Sequence, residues 1–245
     1  MAAKSATSTT AKPAKVTGAI TVNAAASLTD AFTQMGKDFQ KRNKGTTVTF
    51  NFAASSALVT QIQGGAAVDV FASADGNNMQ KLVTGGQVTT EPTVFASNLL
   101  TIVVKPGNPK NVKTLADLAK LDVVSLCAPQ VPCGNYAGQI LTQAGVTIPE
   151  SKVTRGADVK TTLAAVQTGD ADAAIVYTTD AKAAGSSVTT VKIPTWQNAY
   201  AIYPIAPIAA SQNQALANAW IQYTVSPAGQ RTLQSFGFLP PPPAG

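Results

Sequence analysis

Ser27 and Ser55 each stand where an apolar, strand-like run gives way to a helix-like pattern, in "AAASLTDAF" and "FAASSALVTQI". Two further junctions, Pro132–Gly134 and Ala157–Val159, share their character: small or hydroxyl residues with a helix starting at once. A helix start offers unpaired backbone N–H groups and about +0.5 of a charge from its dipole. Four such starts aimed at one point would bind an anion without any lysine or arginine. Each also has an ordinary explanation. Ser27, Ser55 and Asp158 fit helix caps, Ser27 with Asp30 three residues on has the spacing of a capping box, and the alanine run fits tight strand–helix packing. Only their joint occurrence points to a binding site.

The chain contains no histidine, which excludes Ser-His-Asp triads and Cys-His pairs and disfavours zinc and iron sites. Acid–base work would fall to the carboxylates, lysines and tyrosines. Were Ser27 or Cys133 a nucleophile, no carboxylate or lysine stands out as placed to activate it. Cys127 and Cys133 lie six apart in "CAPQVPC" and either close a small loop or sit as two separate buried thiols. A closed loop of this length stabilises by roughly 2 kcal/mol on the entropic account and would place the protein outside the reducing cytosol.

The elements that must position these residues follow from the apolar pattern. Residues 1–18, rich in Ala, Thr, Lys and Ser, have no apolar period and read as a flexible lead-in, without the apolar core of a signal peptide. No run approaches the ~18 apolar residues of a membrane span. The net charge is +6, but several lysines belong to the lead-in and the rest are scattered, so nucleic-acid binding is a poor reading. Beyond the lead-in, strands alternate with helices. "AITVNAA", "TTVTFNFAA" and "VDVFASAD" are strands. Between them lie a helix with Leu28, Phe32, Met35 and Phe39 at helical spacing and a second from Ser55 or Ser56 to Gly64. This order implies a parallel sheet with helices on its faces. "SNLLTIVVKPGNP" is a strand carrying the chain into a second unit, with a short helix at "TLADLAKL" and a strand at "DVVSLCAP". Helices follow in "PCGNYAGQILTQAG" and "ADVKTTLAAVQTGD", then a strand in "AAIVY". "AYAIYPIAPIA" leads back, two helical segments follow, and "LPPPPAG" is a tail forming neither helix nor sheet.

Taken together, "ITVNAAASLTDAF", "FAASSALVTQI", "DVFASAD", "VPCGNYAGQIL", "DVKTTLAAV" and "AAIVYTTDA" resemble the successive motifs of the periplasmic molybdate-binding proteins, solute receptors of ABC importers for molybdate and tungstate. The similarity runs from about Ala19 to Phe238. It implies an α/β, two-lobed periplasmic-binding-protein fold (type II), each lobe a mainly parallel sheet flanked by helices, with the oxyanion in the cleft between them. Lobe 1 would comprise 19–96 and 205–239, lobe 2 would comprise 97–204, and 240–245 would be the tail.

Carried over motif by motif, Ser27 and Ser55 resemble the serines that give hydroxyl and backbone N–H bonds from one lobe. In the other lobe, Cys133 and Val159 match the residues whose backbone N–H groups bind, and Tyr177 matches the tyrosine whose hydroxyl completes the site. Any metal contact would be made through the oxygens of the molybdate ion. Two residues depart from the family pattern: Cys127 where Asp is frequent, and Cys133 where Ala is usual. The paired change favours a disulfide that braces the binding turn. The resemblance further implies a monomer with no cofactor, partnered by an importer permease and ATPase, in the periplasm or cell envelope. The lead-in would suit a tether from an exported N-terminus, lipid-anchored or not.

Overall fold

β1 (Gly18–Ala25) is buried from Val22 onward, and it pairs in parallel with β2 (Thr46–Ala53) and β3 (Val70–Ala72). The structure, a computed structural model, describes residues 16–242, so the lead-in up to residue 15 and tail residues 243–245 lie outside the described residues. Helices α1 (Thr29–Arg42), α2 (Ser55–Gln63) and α3 (Gly76–Thr84) follow β1, β2 and β3 in turn. The stripe read from the sequence on α1 is its buried face. Leu28 just before it and Phe32, Met35 and Phe39 within it are at most 2% exposed. Phe32 and Phe39 each meet the edge of Trp220 at a centroid distance of 5.5 Å. Burying side chains of this size stabilises by about 1.5–3 kcal/mol each, which holds the helix to the sheet.

β4 (Thr93–Val104) is the seam of the molecule. From Thr93 to Leu99 it pairs antiparallel with β9 (Tyr200–Pro207), and from Leu100 onward with β7 (Ala173–Tyr177) and β8 (Thr189–Val191). β5 (Val124–Cys127) pairs in parallel with β6 (Val153–Gly156) and β7. The strand order is β2-β1-β3-β9-β4-β7-β5-β6, with β8 joined to β4. Helices α4 (Pro132–Gln143), α5 (Val159–Gln167) and α6 (Thr178–Ala184) follow β5, β6 and β7, and α7 (Gln214–Val225) and α8 (Pro227–Ser235) close the chain. Each half is thus three parallel strands, with antiparallel crossing strands between them.

Several elements differ from the sequence reading. Ser27 makes no capping box: it lies in a 3-10 turn, Ala26–Leu28, and α1 begins only at Thr29, without a side-chain cap. "VDVFASAD" is a strand for three residues only, because Asp75 turns back to cap α3, a helix absent from that reading. β6, α6 and β8 are likewise additions, and "TLADLAKL" is a 3-10 turn over Leu115–Lys120. The tail is anchored at its start. Leu239 exchanges two 2.9 Å backbone bonds with Ser97, whose hydroxyl also donates to Pro240 O at 2.8 Å.

Candidate functional site

Register brings the strand ends together. Ala25 of β1 lies opposite Ala53 of β2, so the turns carrying Ser27 and Ser55 emerge side by side, with Ala74 just beyond β3. In the other half Cys127 lies opposite Gly156, so the segments entering α4 and α5 are also neighbours, and β7 ends at Tyr177. These are carboxyl ends of parallel strands, where ligands bind in open α/β sheets. The two sets face each other around one small cavity. All five residues singled out from the sequence line it (Ser27, Ser55, Cys133, Val159 and Tyr177), with Ala25, Ala26, Ala54, Ala74, Val131, Pro132 and Asp158. The open space among them, part of it continuous with solvent, is about 200 Å³. All five are at most 6% exposed, so the two halves are closed on one another.

The cavity is lined by neutral donors. Ser55 is the first residue of α2, and its Oγ accepts the Ala74 N–H at 3.0 Å, which leaves the hydroxyl proton free to point elsewhere. Ser27 Oγ is 2.9 Å from the hydroxyl of Tyr203. Cys133 and Val159 lie in the first turns of α4 and α5, whose leading N–H groups have no partner inside the helix. Pro132 at the first position of α4 has no N–H to offer, so Cys133 supplies the first donor there. The Tyr177 hydroxyl is buried and has no hydrogen-bond partner among the described residues. Burial pushes its pKa well above the ordinary phenol value, so it is a neutral donor throughout the physiological range. An unpartnered hydroxyl at the wall of a closed cavity is what a site for a hydrogen-bonding ligand leaves behind.

Charge stands back from the cavity. Its described lining includes no lysine or arginine. Asp158 does line it, but its carboxylate accepts the Thr161 N–H at 2.8 Å as the cap of α5. Lys160, next to Val159, is paired away from the cavity with Asp30 and Asp180 at 3.0 and 3.3 Å. Burial disfavours its charge, and the two carboxylates more than offset that, leaving its pKa above the usual lysine value.

The structure joins Cys127 and Cys133 in a disulfide with the Cα atoms 5.9 Å apart, tying the end of β5 to the first turn of α4. Gly134 allows the same closeness. A Cβ there would collide with Ala128 O and come within 2.7 Å of Cys127 O.

Sequence reasoning missed Tyr203, whose position in the apolar strand β9 gives it no local mark of function. It missed Ala74 because the turn after β3 was read as strand. Asp75, two percent exposed behind that turn, holds Asn78 through N–H and amide bonds of 2.8 and 3.0 Å and so fixes Ala74 in place.

Comparison with known proteins agrees with this geometry. The chain matches the family of bacterial extracellular solute-binding proteins over residues 20–239. It is 39% identical over 236 residues to the molybdate-binding protein ModA of Mycobacterium tuberculosis, covering 96% of this chain and 89% of that one. Among solved structures, the periplasmic molybdate-binding protein of Azotobacter vinelandii superposes with a TM-score of 0.81 at 20% identity, over 91% of this chain and all of that one. The sulfate-binding protein SubI of M. tuberculosis gives 0.82 at 22% identity, over 92% and 88%. These likenesses establish the two-lobed periplasmic-binding-protein fold. Neutral donors from two facing half-sheets around a small closed cavity, on that fold and with that kinship, place the chain among the bacterial extracellular solute-binding proteins, the family to which it belongs.

Proposed function

We propose that this chain captures molybdate, and tungstate with it, outside the cytoplasmic membrane and hands it to the permease and ATPase of an ABC importer. The observation that carries the reading is the convergence of Ser27, Ser55, Cys133, Val159 and Tyr177, from both halves of the sheet, on one cavity without a cationic side chain. Two hydroxyl and two N–H donors from the serines, the N–H groups of Cys133 and Val159 and the Tyr177 hydroxyl make about seven donors for four anionic oxygens. Charge-assisted hydrogen bonds contribute ~1.5–3 kcal/mol each, so such a shell reaches the about 12 kcal/mol of nanomolar binding after ordering costs. A buried counter-charge would add desolvation cost and slow release.

Kinship with a molybdate-binding relative over nearly the whole chain favours molybdate. The likeness to a sulfate-binding fold keeps sulfate as the alternative ligand, separated from molybdate by cavity radius. In this reading residues 19–96 and 205–239 form lobe 1 and residues 97–204 lobe 2, with the anion between them and no cofactor or catalytic step. The disulfide suits a periplasmic or envelope location, and the receptor works as a monomer. Calorimetric titration with molybdate, tungstate, sulfate and phosphate tests it. Molybdate and tungstate should bind tightest, and tighter binding of sulfate than molybdate overturns the assignment.

A further inference from the structure

Asp158 is the one charged residue among the twelve described residues that line the cavity, and its charge has the sign of the proposed ligand. Its carboxylate is fixed at the start of α5. Oδ1 accepts the Thr161 N–H at 2.8 Å, and Thr161 Oγ1 accepts the Asp158 N–H at 3.1 Å, a reciprocal cap that holds the side chain over the first turn. Val159, the next residue, opens that turn and is the backbone donor assigned to the anion. Cap and ligand therefore share one helix terminus. No cation offsets the carboxylate, since among the described residues no lysine or arginine forms an ion pair with it. Lys160 is taken by Asp30 and Asp180 at 3.0 and 3.3 Å, and Arg155 by Glu150 at 2.6 Å and by the Cys127 carbonyl at 3.1 Å. Capping does not call for the charge either. Asn and Ser cap as well as Asp, and α2 and α4, which also start at the cavity, have no acidic residue in their first turns.

We propose that Asp158 is a specificity-determining residue that grades ligands by charge: its fixed carboxylate opposes an anion at the shared start of α5, so the closed site holds a dianion less tightly than its donors alone would and releases it faster. The donors attract and the carboxylate subtracts. Charges this close, with protein around them, interact at an effective dielectric of about 20 instead of 80, and the half-buried position of Asp158 leaves part of the repulsion unscreened. A dianion meets twice the repulsion that a monoanion of the same shape meets. Opposition at this point suits a receptor that must give its ligand up. A full donor shell closed around a dianion approaches nanomolar binding, and at that affinity slow dissociation would limit delivery. The helix start carries both groups because its leading N–H groups are divided between them, that of Thr161 for the carboxylate and that of Val159 for the ligand.

Asp158 has this role only if the cavity takes an oxyanion, as proposed above, and the experiment keeps the two readings apart. Molybdate, a dianion, and perrhenate, a tetrahedral monoanion, are titrated by competition calorimetry into the wild type and Asp158→Asn, which keeps the cap and loses the charge. Molybdate should bind about tenfold tighter to the variant and perrhenate about threefold tighter, half the change on a logarithmic scale. Stopped-flow release of molybdate should slow by most of that factor. Should Asp158→Asn not fold, Asp158→Ser keeps a capping oxygen and carries the same expected gains. Unchanged or weaker molybdate binding in a folded variant overturns the role of Asp158, as does an equal gain for both anions. A gain found wholly in association overturns the part in release. A wild type that binds neither anion, nor sulfate or tungstate, overturns the receptor reading itself.

Discussion

Lys160 of α5 donates to Asp30 of α1 at 3.0 Å, a bond between helices that flank different halves of the sheet, one residue from the cavity-lining Val159. The same ammonium lies 3.3 Å from the buried Asp180 at the start of α6. Closure around a ligand would make this bridge and opening would break it. Asp30 is half exposed, so the interaction is worth only about 0.2–1 kcal/mol. Asp30→Asn should therefore raise the ligand dissociation rate about two- to fivefold with little change in association. Stopped-flow measurement at low salt checks this, and an unchanged off-rate would show that the bridge does not help hold the halves together.

Asp180 carries the pH dependence. Its side chain is fully buried, and burial raises its pKa from 3.8 to about 6, although Lys160 pulls it down. A folded-state pKa above the unfolded one means that the folded protein holds the proton more tightly. The associated stability is present below about pH 4 and is lost as pH rises through about 6. This group alone should make the protein less stable at pH 7.5 than at pH 4.5, on the order of 1–3 kcal/mol. Asp180→Asn should flatten that slope in urea unfolding at the two pH values, and an equal slope in the variant would place the titration elsewhere.

Tyr177→Phe separates function from stability. The hydroxyl has no hydrogen-bond partner among the described residues, so removing it takes away a buried polar group that costs about 1–3 kcal/mol when unsatisfied. Thermal melting without ligand should be unchanged or higher, while molybdate affinity should fall by about ten- to a hundredfold. A variant that loses stability and keeps affinity would assign Tyr177 to the core instead.

The convergence of the five candidate residues on one cavity was legible because their signals are local. Each serine, Cys133 and Val159 sits at a strand-to-helix junction that the apolar pattern marks, and the parallel β-α-β order sends such junctions to one edge. What was not legible depends on register and on contacts distant in sequence. Ser27 reads locally as a cap, yet its hydroxyl is taken by Tyr203, 176 residues away. Tyr203 lies in an apolar strand whose period says only that it is buried. Short elements such as β6 and β8, four and three residues long, carry too few residues to show a period at all.

The disulfide should act on stability more than on binding. Replacing Cys127 and Cys133 together by serine removes a closed loop worth roughly 2 kcal/mol. The ligand contact of residue 133 would be a backbone N–H, which serine keeps. Molybdate affinity should therefore stay within a fewfold while the urea midpoint falls. Parallel loss of both would mean that the bridge is needed to aim the first turn of α4.

Two glycines in α4 make an internal comparison for that same turn. At Gly134 an added Cβ collides with the carbonyl of Ala128, so Gly134→Ala must push the helix start away from the end of β5 and carry the Cys133 N–H with it. At Gly138, one turn on and exposed, a Cβ meets nothing within 4 Å. Gly138→Ala should leave affinity unchanged and gain up to about 1 kcal/mol from helix propensity. Gly134→Ala should lower the melting temperature and weaken molybdate binding at least tenfold, since displacement of a donor by a few tenths of an ångström spoils a hydrogen bond to a closed-in anion. Equal affinities for the two variants would mean that the start of α4 does not contribute a donor to the ligand.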